Sequence, residues 1–184
     1  MLHYLRNDTR INVLESIINS IQKQLDEIEL RCRKDSFIYW DSIYADDVEH
    51  LIGIVFIALQ NYINSSISDL YPELTKLYKK YSLDKKTKMN SETTRIELII
   101  ALANYYKHRD LPSELHKHTT NPFDDLSIKY KQSNSKNKKF SYVVGSESPI
   151  FNGLSLLSDR WNLKDLVRIV VEWRENLWRN EREK

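Results

Sequence analysis

The chain has 184 residues, 41% hydrophobic and 29% charged, which suits one soluble globular domain able to bury a substantial core. A formal net charge of +2 excludes a protein that binds polyanions with its whole surface, so nucleic-acid affinity would need local clusters of lysine and arginine. Three glycines and four prolines argue against a turn-rich β-protein, and a single cysteine, Cys32, excludes an intramolecular disulfide and fits a reducing cytoplasm. The first residues, MLHYLRNDTR, lack the apolar core of a signal peptide, and no uninterrupted apolar run approaches ~18 residues, so no membrane-spanning helix is expected.

The first helix is predicted from about Asn7 to Lys34, with Asp8 or Thr9 as cap. Ile11, Leu14, Ile18, Ile21, Leu25, Ile28 and Cys32 alternate in steps of 3 and 4, a heptad seam that suits the flank of a bundle. An aromatic linker over 35–45 follows. The second helix is predicted from Asp46 to Leu70, its two leading aspartates at the positive end of the helix dipole. Within it, LIGIVFIAL (51–59) is apolar all round except for Gly53, which predicts a central helix or one buried a second time in a homodimer through Leu51, Ile54, Val55 and Phe56. Residues 71–81 read as a short helix with proline at its start, followed by a lysine-rich linker.

The third long helix, within Ser91–Pro112, is the best bounded. Thr94 and Glu97 have capping-box spacing, and Pro112 disfavours helical dihedrals in the residue before it. Ile96, Leu98, Ile99, Leu102, Ala103, Tyr105 and Tyr106 form a broad apolar face; Glu97, Ala101, Asn104 and His108 form a narrow stripe opposite. Residues 111–148 are the least helical part. Their centre, KYKQSNSKNKK (129–139), is rich in lysine, and the alternation in its flanks (126–130 and 140–144) allows a small β-hairpin or a disordered basic loop. A short helical turn is predicted near 153–159. The last helix is predicted from Asn162 to near Arg179, buried through Leu163, Leu166, Val167, Val170, Trp173 and Leu177, with Arg168–Glu172 and Glu175–Arg179 as outer i,i+4 pairs. Together these elements predict an all-α fold: an antiparallel four- to five-helix bundle forming a single domain over 1–184, with an insert at about 111–150.

Asn104 and His108 lie one turn apart, and an imidazole beside a carboxamide could do acid-base work near neutral pH; the alternative is that they satisfy each other, or a neighbouring helix, at a semi-buried seam. His116-Lys-His118 is not a standard zinc spacing and no second cysteine supports it, so no metal and no cofactor are expected. The basic stretch, with Lys136, Lys138 and Lys139, could contact RNA phosphates. Cys32 falls on the first helix's apolar seam and reads as core.

Ala103-Asn104-Tyr105-Tyr106-Lys107-His108, near the end of a penultimate long helix, resembles the signature of the HEPN superfamily. That resemblance implies an all-α bundle, often a dimeric ribonuclease of bacterial conflict and defence systems. The family pattern is an arginine, often an asparagine, a few variable residues and a histidine. Asn104 and His108 match it; Ala103 stands where the arginine belongs. Arg95 and Arg109 project about 140° and about 100° away from His108 at 3.6 residues per turn, so neither shares its stripe. A replacement would have to come from another segment, for example Arg168 or Arg174, or from a second subunit. The resemblance, with its arginine missing, implies a non-catalytic cytoplasmic protein that binds a macromolecular partner in an immunity, antitoxin or defence role, contacting it through Glu97, Lys107, Arg109, Lys136, Lys138 and Lys139. The alternative it implies is a metal-independent ribonuclease using His108 and Asn104 with an arginine from elsewhere.

Overall fold

The computed structural model describes residues 7–34, 43–110, 114–133 and 140–182. Six α-helices make up the described fold: α1 (Ile11–Lys34), α2 (Ile43–Leu70), α3 (Arg95–His108), α4 (Lys117–Asp125), α5 (Pro149–Leu157) and α6 (Leu163–Arg182). Two three-residue strands, β1 (Lys131–Ser133) and β2 (Phe140–Tyr142), pair antiparallel with Gln132 opposite Ser141. The second flank of the predicted hairpin thus contributes a strand, whereas 126–130 does not. The lysines at 134–139 lie outside the described residues.

The heptad seam of α1 points inward as its spacing predicts: Leu14, Ile18, Ile21 and Ile28 are buried, and Ile11, Leu25 and Cys32 pack partly against the core. All six predicted core positions of α6 are buried, with Trp173 fully enclosed and its indole N–H donating to the Lys80 carbonyl at 3.2 Å. Asn162 caps α6, its Oδ1 accepting from Lys164 N at 3.1 Å. The predicted outer pairs of α6 do not form. Arg168 instead reaches Asp165 at 2.8 Å, and Glu172 faces Arg95 across the helix boundary at 3.5 Å. Asp8, offered as a cap for α1, accepts from the Tyr62 hydroxyl of α2 instead.

α2 is the long apolar helix. By length and a mean hydropathy of 1.4, Ala45–Leu70 could cross a membrane, unlike the expectation drawn from uninterrupted runs. Its apolar surface serves the molecule's own interior: 56% of the most apolar window is buried, with Ile52, Val55, Phe56, Leu59, Ile63 and Ile67 completely so. Val55 and Phe56 therefore cannot meet a second subunit in this conformation. Of the four residues offered as a dimer face, only Ile54, 46% exposed, and half-buried Leu51 look outward.

The segment 71–81 forms turns and a 3₁₀ stretch at Leu77–Lys80, not the predicted α-helix. Its anchors Tyr71, Leu74 and Leu77 recur every third residue, which matches the eclipsed side chains of a 3₁₀ turn better than the 3.6-residue α period. The sequence reading also missed α4, whose interior Pro122 removes a helical donor. α4 survives because Thr119, Pro122 and Phe123 bury one face against α3. It closes at Ser127, a left-handed residue with φ 58°, where the Ile128 amide donates to the Phe123 carbonyl at 2.8 Å. α5 begins at Pro149, earlier than the predicted turn, with proline at its first position.

α3 is the hub, packing against α2, α4, α5 and α6. Two helix–helix approaches depend on glycine. A Cβ on Gly53 of α2 would lie 2.2 Å from the Tyr106 ring, and one on Gly153 of α5 would lie 2.4 Å from Leu102.

Candidate functional site

α3 begins where the sequence places its capping box. Thr94 Oγ1 accepts from Glu97 N at 3.2 Å, and the Glu97 carboxylate accepts from Thr94 N at 2.8 Å. Ser91, the other N-cap residue type in this stretch, is buried in the preceding loop, accepting from Lys88 N. An arginine secures each end of the helix. At the start, Arg95 binds Asp84 through Nε (3.0 Å) and Nη2 (2.7 Å), a fork in which the Asp84 side chain is 1% exposed. At the end, Arg109 turns inward onto Glu49 of α2.

The stripe Glu97–Ala101–Asn104–His108 is not one surface. Ala101 is fully buried because α3 is enclosed on nearly every side. Glu97 lies beside a cleft of about 290 Å³, about three turns from the motif's end at His108. Asn104 faces α2, where its Oδ1 accepts from Gln60 Nε2 at 2.9 Å. Lys107 donates to the same glutamine's Oε1 at 2.7 Å, so Gln60 bridges the two motif residues, and partial burial pushes the Lys107 ammonium pKa below its ordinary value. His108 is exposed and has no hydrogen-bond or ion-pair partner among the described residues. Asn104 thus bonds to a neighbouring helix, one of the two partners expected for it, and not to His108.

Arg109, named with the binding residues, turns its side chain away from solvent. Its side chain is 7% exposed, and Nη1 lies 2.5 Å from Oε1 of Glu49, itself fully buried. Those two atoms, with Arg109 Nε, are shut off from solvent and make no hydrogen bond of standard geometry, so attraction between charges carries the contact. Glu49 accepts a hydrogen bond at its other oxygen from the Gly145 amide, 2.9 Å away, where φ of 72° favours glycine. Arg109 Nη2 approaches both ring nitrogens of His50 at 3.1 and 3.3 Å, and His50 Nδ1 is 2.9 Å from the Tyr106 hydroxyl. The neighbouring Tyr105 is fully buried; its hydroxyl donates to the Val143 carbonyl, and burial pushes its pKa up.

The sequence reading missed this cluster. Its one signal was Glu49, a carboxylate two residues before an apolar nonapeptide, placed where only a buried partner could support it. The two arginines named as possible replacements are engaged as well: Arg168 with Asp165, and Arg174, 3% exposed, 3.6 Å from Asp8. Lys136, Lys138 and Lys139 lie outside the described residues. His116 and His118 stack on each other at 4.9 Å, and no group of three or more histidine, cysteine, aspartate or glutamate side chains converges as a metal site among the described residues. Searches against protein-family models, curated proteins and solved structures find no match to this chain.

Proposed function

We propose that this chain is a HEPN-like antiparallel helical bundle without catalytic activity, which binds a macromolecular protein partner in the cytoplasm in an immunity, antitoxin or defence role. The observation that carries this is the fate of the arginines around the motif. Ala103 fills the arginine position and is fully buried, and Arg109, the next residue after His108, is committed to Glu49. A guanidinium that neutralises a buried carboxylate cannot also hold a phosphate beside His108. The exposed end of α3, with Lys107 and His108 on a rigid and clamped helix, is suited to recognition of a partner surface.

Affinity capture from the host with tagged protein tests this. A protein partner recovered in stoichiometric amount, and lost with the double variant Lys107→Glu/His108→Glu, is the expected result. Recovery of no partner, together with RNA cleavage that depends on His108, would overturn it. The exposure of His108 favours one alternative, a metal-independent ribonuclease in which Asn104 and His108 act with an arginine from a second subunit. Such an enzyme would arrest growth on expression, whereas the binding protein leaves growth unchanged.

A further inference from the structure

The cleft beside Glu97 is separate from the motif's end. It lies between the 3₁₀ turn at Leu77–Lys80, the start of α3 and the outer face of α4. Buried Ile100 and Pro122 contribute apolar lining. One wall is aromatic: Tyr78 and His118 both line the cleft and stack at 4.7 Å with their planes 24° apart, and His116 continues the stack behind His118. The rings come from two segments about forty residues apart, and Tyr78 is 41% exposed.

The polar lining is anionic. Glu97 and Asp125 each have one oxygen held by the protein and the other unpaired among the described residues. Glu97 Oε2 accepts from Thr94, and Asp125 Oδ2 accepts from the Glu92 and Thr93 amides and from Thr93 Oγ1 at 2.6 Å. These bonds hold the Asp125 carboxyl pKa below its ordinary value, so it stays ionised. Both carboxylates are thus oriented before any ligand arrives. Glu92, the third carboxylate of the cleft, is paired with Lys86 at 2.6 Å.

We propose that this cleft is a socket for the guanidinium group of an arginine carried by the protein partner. The proposal rests on the partner-binding function above and adds the chemistry of one contact. A guanidinium is planar and cationic, so it can lie over the outer face of Tyr78, the face the stack leaves free, while its N–H groups donate to Glu97 and Asp125. A lysine ammonium matches the charge but not the flat wall. A nucleotide could stack there, but its phosphate would meet the carboxylates.

The test uses the full chain, followed by amide and ring NMR signals, and three probes: acetyl-arginine methylamide, acetyl-lysine methylamide and guanosine monophosphate. The expected result is saturable shifts at Thr93, Ile100 and Asn121 with the arginine probe, several-fold tighter than with lysine. Glu97→Gln keeps the capping box, because glutamine serves at that position, and should weaken arginine binding about tenfold. Tyr78→Ala, at an exposed ring, should weaken it as well. No saturable shift with arginine, an equal response to lysine, or tighter binding of the nucleotide would overturn the proposal. Partner capture that persists without arginine binding refutes the socket alone; arginine binding without any captured partner refutes the partner-binding function alone.

Discussion

Replacing Arg109 with methionine keeps most of the side-chain volume and leaves Glu49 charged, fully buried and without its cation. Breaking a buried pair from one side costs about 3–5 kcal/mol, because the remaining charge stays desolvated. The lower end applies here, since Nη2 faces exposed His50 and one Glu49 oxygen keeps its bond to the Gly145 amide. About 3 kcal/mol is a large share of the ~5–15 kcal/mol that holds a domain together, and at about 2–4 °C per kcal/mol for this size it should lower Tm by on the order of 10 °C. Urea titration followed by far-UV circular dichroism reads it directly. The partner variant Glu49→Leu should be similarly costly, and the double variant much less so than the two losses added together. Two independent, additive losses below about 1 kcal/mol each would show that the pair behaves like a screened surface contact, and would remove the reason for treating Arg109 as unavailable.

Three further outcomes follow from the geometry. Thr94→Ala removes the cap of α3 and should cost about 1 kcal/mol in chemical denaturation, more than an alanine substitution at exposed Thr75. Gly53→Ala should destabilise despite alanine's advantage in helices of about 1 kcal/mol, because the Tyr106 ring has to move; in a Tyr106→Ala background the same change should become stabilising. Asp125 has its pKa depressed by its Thr93 bonds, so its contribution to stability is full above about pH 4, the unfolded range, and is lost as pH falls through the lower folded value. Asp125→Asn should therefore flatten the acid limb of a Tm-against-pH curve and leave its neutral-to-basic shape unchanged.

Where the sequence spoke through periodicity it was readable. The seam of α1 and the core face of α6 fall at the predicted positions, because a helix packed along one side needs only one stripe of apolar residues. The capping box was legible because both halves of it are local. Burial around α3 was not: Ile100 and Ala101 interrupt no pattern, and only their neighbours on several helices make them interior. α4 was hidden by Pro122, a signal of helix breaking that packing overrides. The candidate site was the least legible part. The motif correctly placed Asn104 and His108 on one helix, but the partners of its polar residues, Gln60 with Asn104 and Glu49 with Arg109, come from α2, more than forty positions earlier. Spacing along a single helix carries no information about such pairs.

Incubation of the purified full chain with labelled single-stranded RNA, with and without chelator and beside His108→Ala, tests the central claim most directly. A recognition protein whose nearest arginine is locked onto Glu49 should leave the RNA intact in every lane. Cleavage that resists the chelator and disappears in His108→Ala would contradict it.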